Sequence, residues 1–192
     1  MSVGLLGGSF NPAHAGHRHI SLLALDRLGL DAVWWLASPQ NPLKDAGDMA
    51  PLARRLAGAR AVAAHPRIRV TDVEARLGTR FTADTLAALQ ARYPATFFVW
   101  LMGADNLAQI PRWQRWTRVF ERAPVAVFDR PTYAIGALSG KAAQRYARHR
   151  IPERAARTLA RRMAPAWCFL HIPLHAASAT HIRARHGRAG AA

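Results

Sequence analysis

Gly7-Gly8-Ser9-Phe10-Asn11-Pro12-Ala13-His14-Ala15-Gly16-His17, directly behind the apolar run Val3-Gly4-Leu5-Leu6, is the stretch on which the fold turns. An apolar run closed by two glycines reads as a buried strand ending in a tight bend. The glycines tolerate φ > 0 and let a ligand come close to the main chain. A helix is expected over Ala15 to Leu28, with Ile20, Leu23, Ala24 and Leu28 as its apolar stripe and Gly29 as its stop. The order strand, bend, helix aims helix amides and a partial positive charge at the bend, which suits an anion such as phosphate. His14 and His17, three apart, face one way once the first turn forms, and imidazole can donate to phosphate oxygens. A plain glycine turn with exposed histidines near a cap is the alternative.

The rest of the chain repeats the alternation. Strands are expected at residues 2–6, Ala32 to Ala37, Arg67 to Val70, Phe97 to Met102, Pro124 to Phe128 and 166–172. Helices are expected at 50–64, Thr82 to Arg92, roughly 138–163 and Ser178 to His186, with Gly187 to Ala192 a loose tail. Strands separated by helices predict an α/β fold, a Rossmann-like open parallel sheet with helices on both faces, built as one domain over 1–186. Ligands of such sheets sit beyond the carboxyl ends of the strands. In the segment 138–163, Arg154, Arg157 and Arg161 fall on one helical face, opposite Ala155, Ala156, Leu159 and Met163.

Composition narrows the classes. Half of the 192 residues are hydrophobic, against a formal charge of +16 from 27 Lys+Arg and 11 Asp+Glu. Such a field draws anions, whether nucleic acid or phosphorylated metabolites. The longest apolar run, Ala95 to Ala104, is too short to span a membrane, and the N-terminus lacks the basic region of a signal peptide. Cys168 stands alone in an apolar run and reads as a buried strand thiol, so a cytoplasmic setting is expected. Three motif classes are excluded. There is no G-x-G-x-x-G, no lysine follows the glycines as in a P-loop, and H-x-x-H without an acidic or cysteine partner makes a poor metal site.

With these residues in view, GGSFNPAHAGH resembles the N-terminal H-x-G-H signature of the nucleotidyltransferase superfamily. The resemblance implies that His14 and His17 contact ATP phosphates and stabilise the transition state, with Gly7, Gly8, Ser9 and Phe10 lining the nucleotide pocket. Asn11 stands where many relatives carry aspartate. Ser178-Ala179-Thr180-His181-Ile182-Arg183 is similar to the superfamily's I-S-S-T-x-I-R signature, which implies that Ser178, Thr180 and Arg183 hold phosphates. Ala179 replaces one of its hydroxyls.

Four further segments resemble nicotinate-mononucleotide adenylyltransferases in particular. Ser38 to Lys44 looks like the loop that brings a lysine, here Lys44, to the phosphates. Thr71 to Leu86 is similar to an acidic residue followed by (Y/F)-T-x-D-T-L, implying that Thr82 and Thr85 hold the pyridine carboxylate. Leu101-Met102-Gly103-Ala104-Asp105-Asn106-Leu107, then Trp113-Gln114-Arg115-Trp116, matches G-A-D-N-L and W-x-x-W. There Gly103 allows close approach, Asp105 binds ribose or adenosine hydroxyls, Trp113 stacks on the pyridine and Trp116 is structural. Asp129-Arg130-Pro131 matches the family's strand-end arginine, Arg130. The implied activity is adenylyl transfer from ATP to nicotinate mononucleotide, with Mg2+ bridging the ATP phosphates and no metal site of the protein's own. The amide mononucleotide and phosphopantetheine are the sister substrates. A basic RNA-binding relative without activity is the rival of another class, disfavoured by intact motifs at every strand end. Nucleic acid and membrane are not expected as partners, and a homo-oligomer is left open.

Overall fold

The computed structural model describes residues 1–39, 49–130 and 133–173. Six parallel strands form one sheet in the order β3-β2-β1-β4-β5-β6. They are β1 (Ser2–Gly8), β2 (Ala32–Ala37), β3 (Ile68–Thr71), β4 (Phe97–Gly103), β5 (Val125–Phe128) and β6 (Trp167–Leu170). The order reverses between β1 and β4, which lie side by side with Leu5 opposite Trp100. A crevice opens beyond the carboxyl ends at such a reversal. The α/β, Rossmann-like expectation holds.

Alternation along each strand divides the core in two. Leu6, Val99 and Leu101 face α1 (Ala15–Arg27) and α2 (Leu52–Ala63), meeting Ile20, Ala24, Leu56 and Ala59. Leu5, Phe98, Trp100 and Met102 face the other way, towards α4 (Thr82–Arg92), α5 (Ala104–Gln109) and α6 (Thr117–Arg122), where Leu86, Leu89, Leu107 and Phe120 close the layer. Helix α1 ends as the sequence implies, with Gly29 at φ +62, a left-handed stop that glycine takes without strain.

Several boundaries differ from expectation. The first strand runs on to Gly8, because Gly7 and Gly8 pair with Leu36 and Ala37 of β2. The glycines are therefore strand residues, and the bend begins at Ser9. Three short helices, α3 (Val73–Leu77), α5 and α6, were not legible. The helix expected over 138–163 does not exist as one piece. The chain instead forms α7 (Ala134–Leu138), α8 (Lys141–Arg145) and 3₁₀ turns at Ala147–His149 and Glu153–Arg161. Gly140 caps α8 in extended geometry, and Pro152, with no amide to give, stands at the start of the last turn. Ala156, Leu159 and Ala160 are buried there while Arg154, Arg157 and Arg161 stay outside. Met163, expected on the apolar face, lies past the end of the turn and is 91% exposed. The expected helix from Ser178 and the tail lie outside the described residues.

Candidate active site

The bend after β1 is tightly furnished. His14 is the N-cap of α1 and 5% exposed. Its amide donates to Nδ1 of His17, 3.2 Å away, and the two rings lie 3.9 Å apart between centroids. A nitrogen that accepts carries no proton, so neutral His17 bears its hydrogen on Nε2 and is a donor there. Burial pushes the His17 imidazole down to about 3, helped by the charges of His14 and Arg130. At neutral pH the ring is therefore uncharged.

The seat of His17 is aromatic. Phe10 adopts φ +45, a left-handed conformation strained for any side chain with a Cβ. That twist turns its ring inward, where it stacks on Trp35 at 5.0 Å and 5° and meets His17 at 4.9 Å. The Trp35 indole donates to Ser21 Oγ at 2.7 Å, and Ser21 donates to the His17 carbonyl at 2.8 Å. Three residues of different elements thus fix one imidazole.

The neighbouring strand end, across the reversal, supplies charged groups of both signs. Gly103 closes β4 and Asp105 sits in the first turn of α5. Asp105 Oδ1 lies 3.4 Å from Arg130 Nε, just past the end of β5. That oxygen is buried without a hydrogen bond, while the side chain keeps 24% of its surface open. A Cβ on Gly103 would run into Asp105 Oδ1 and stand 2.8 Å from Arg130 Nε. Only glycine leaves room for that pair. Arg130 also lowers the His17 imidazole, so the two strand ends share one electrostatic site.

The segments expected to select the substrate sit on the other face of the sheet. Trp113 is half-buried and meets Trp100 edge-on at 6.4 Å, and Trp100 in turn closes on Gly7, where a Cβ would come within 2.6 Å of its ring. Trp116 packs instead with Phe120 and Tyr146. Arg115 donates to Asp84 at 2.8 Å, tying the W-x-x-W turn to the start of α4. Thr82 opens that helix and is half-buried. Thr85 is fully buried: its hydroxyl lies 3.2 Å from Glu74 Oε1 and 3.0 Å from Thr79 Oγ1, within the protein's own network. Burial raises the Glu74 carboxyl to about 7, with the Thr85 hydrogen bond opposing.

The structure thus brings together Gly7, Gly8, Ser9, Phe10, His14, His17, Gly103, Asp105 and Arg130 around adjoining strand ends. Lys44, Ser178, Thr180 and Arg183 lie outside the described residues. Pro173, five residues before Ser178, has its carbonyl 2.9 Å from His19 Nε2 on α1. Two buried charged residues were missed by the sequence reading, Glu74 and Arg55. Arg55 does carry a signal: it interrupts the stripe Leu52, Leu56, Ala59, Ala63 where an apolar residue belongs.

Residues 5–185 match the cytidylyltransferase-like family. The chain is 58% identical over 184 residues to a protein of Cereibacter sphaeroides, covering 96% of this chain and 97% of that one. It is 57% identical over 185 residues to one of Methylorubrum extorquens, covering 96% and 100%. Both bear the name "probable nicotinate-nucleotide adenylyltransferase". Among solved structures, the fold resembles Plasmodium falciparum nicotinic acid mononucleotide adenylyltransferase complexed with NaAD, with a TM-score of 0.72 over 95% of this chain and 82% of that one. At 14% identity that likeness concerns the fold alone. Over almost its whole length, this chain belongs to the cytidylyltransferase-like family and, within it, to the nicotinate-nucleotide adenylyltransferases.

Proposed function

We propose that the protein transfers the adenylyl group of ATP to nicotinate mononucleotide, giving nicotinate adenine dinucleotide and pyrophosphate in NAD biosynthesis. The observation that carries this reading is the His14–His17 pair, the first buried and the second half-buried, beside Asp105 and Arg130 at the strand reversal of an adenylyltransferase fold. A phosphate oxygen of the mononucleotide forms a new bond to the α-phosphorus of ATP, and the bond from that phosphorus to the bridging oxygen breaks. The nucleophile is already ionised, so no proton need be taken and no protein nucleophile is needed. Catalysis rests on positioning and on stabilising charge at the α-phosphate.

The donors are aimed for that task. His17 Nε2–H is an uncharged hydrogen-bond donor locked by its Nδ1 contact, and the N-terminus of α1 adds its partial positive charge. Gly7, Gly8, Ser9 and Phe10 line the nucleotide, with Gly103 giving close approach and Asp105 accepting from ribose hydroxyls. Lys44, Ser178, Thr180 and Arg183 complete the phosphate contacts. Trp113 stacks on the pyridine, Arg130 holds the mononucleotide, and the α4 start at Thr82 and Thr85 receives the carboxylate. Since Thr85's hydroxyl is held inside, its part is to fix that helix start. Magnesium enters with ATP and neutralises phosphate charge. Magnesium is a hard cation that keeps much of its water, so phosphate and water oxygens suit it as ligands. The same reading takes residues 1–186 as a single domain and sets the protein in the cytoplasm, where a lone thiol stays reduced.

The test is pyrophosphate release from ATP and magnesium, with the nicotinate and nicotinamide mononucleotides run in parallel. Turnover with the acid well above the amide is expected. Equal rates would remove the carboxylate pocket, and no release with either would overturn the reading. The folded His17→Ala variant should lose roughly 10²–10³ in kcat, as loss of one preorganised donor does.

A further inference from the structure

Arg55 occupies the first turns of α2, yet it is only 4% exposed. Charged side chains are seldom buried to that degree unless they are richly hydrogen-bonded. Its Nη1 donates to the carbonyls of Ser9 at 2.7 Å and Ser38 at 2.8 Å. Nη2 donates to Pro39 at 3.0 Å and Nε to Ala50 at 2.8 Å. These acceptors are main-chain oxygens from three separate segments: the bend after β1, the end of β2 and the approach to α2. Burial lowers its pKa, but guanidinium stays charged. The planar fork suits the work, since one rigid group meets four carbonyls in different directions.

The Ser9 contact reaches furthest. The carbonyl of Ser9 and the amide of Phe10 belong to one planar peptide and point opposite ways. Fixing the first fixes the second, at the residue whose φ is +45 and whose ring carries His17 at 4.9 Å. Left-handed backbone at a phenylalanine persists only where its surroundings over-determine it. From this we infer that Arg55 is a positioning residue: it braces the bend after β1 against the end of β2 and acts on adenylyl transfer through Phe10 and His17. It touches neither substrate. The inference rests on the adenylyltransferase reading of the site.

The experiment is a double-mutant cycle. Arg55→Lys keeps the charge but presents a point donor in place of the fork. With ATP, magnesium and nicotinate mononucleotide, Arg55→Lys should lose about tenfold or more in kcat, with both KM values within about threefold of the parent. In a His17→Ala background the same substitution should cost less than about twofold, because its route to the chemistry is gone. Equal losses in the two backgrounds would mean a merely structural residue and would overturn the inference, as would an unchanged kcat in Arg55→Lys alone. Should neither Arg55→Lys nor Arg55→Gln fold, Phe10→Leu is crossed with His17→Ala instead. Additive losses there would remove the route through the ring. Failure of the parent protein to release pyrophosphate would sink the adenylyltransferase reading itself, a distinct result.

Discussion

A single missing carbon sets the geometry of the nucleotide side. Gly103 sits where Asp105 and Arg130 converge, and a methyl group there would displace both. Gly103→Ala should leave the protein folded while raising KM for ATP about 10–100-fold, the range set by losing a hydrogen bond to a charged group. Gly58, on the open side of α2 with nothing within 4 Å of its Cβ position, is the control. Gly58→Ala should leave kinetics alone and raise stability by about 0.5–1 kcal/mol, read as a higher midpoint in urea. Residues such as these were legible in part. Strand-end glycines followed by polar side chains mark a site by type alone. What no sequence pattern tells is that Asp105 is already paired or that the Thr85 hydroxyl is turned inward, because both depend on partners many residues away.

Among the elements, the pair α3–α4 has a titration built into it. Glu74 is buried beneath the start of α4 with its carboxyl raised from 4.5 to about 7, so the folded state holds its proton over a range where the unfolded chain has released it. Stability from this group is fully present below about 4.5 and is lost as pH rises through about 7. Glu74→Gln removes that dependence and keeps an acceptor for Thr85. Relative to Glu74→Gln, the parent should lose on the order of 3 kcal/mol between pH 4.5 and 7, followed by urea unfolding at a series of pH values. A flat difference across that range would show that the carboxyl is not shifted. The element scale also shows where reading by periodicity stops. Ala32–Ala37 and Thr82–Arg92 emerge with the expected ends because each is a long, uniform pattern with clear stops. Helices of five or six residues, such as α3, α5 and α6, complete too few turns to show a stripe. The arginine-rich stretch failed for the opposite reason: alanine and arginine favour helix locally, and the breaks at Gly140 and Pro152 decided against them.

At the scale of the whole molecule, the interior of the sheet is closed to water and reagents alike. Cys168 lies fully buried in β6, and burial pushes its thiol up to about 12. A thiol reagent at pH 8 should find no reactive group in the native protein and one per chain in denaturant, at a native-state rate that follows global opening. Fast labelling of the folded protein would mean that the β5–β6 side opens by itself. The same sheet has two margins where its strands could be extended. A parallel sheet has two open flanks where a foreign strand could add its own hydrogen bonds. On one flank, Arg150 bridges to Trp167 and the Ile151 amide donates to the Trp167 carbonyl, so the start of β6 is already engaged. On the other, β3 is four residues long, with Arg67 just before it and Arg69 within it both exposed. A recruit would meet a short template and a pair of positive charges, and a second copy of this chain would bring the same sign. Lateral growth, the hazard of every exposed β-margin, meets an occupied strand start on one side and like charge on the other.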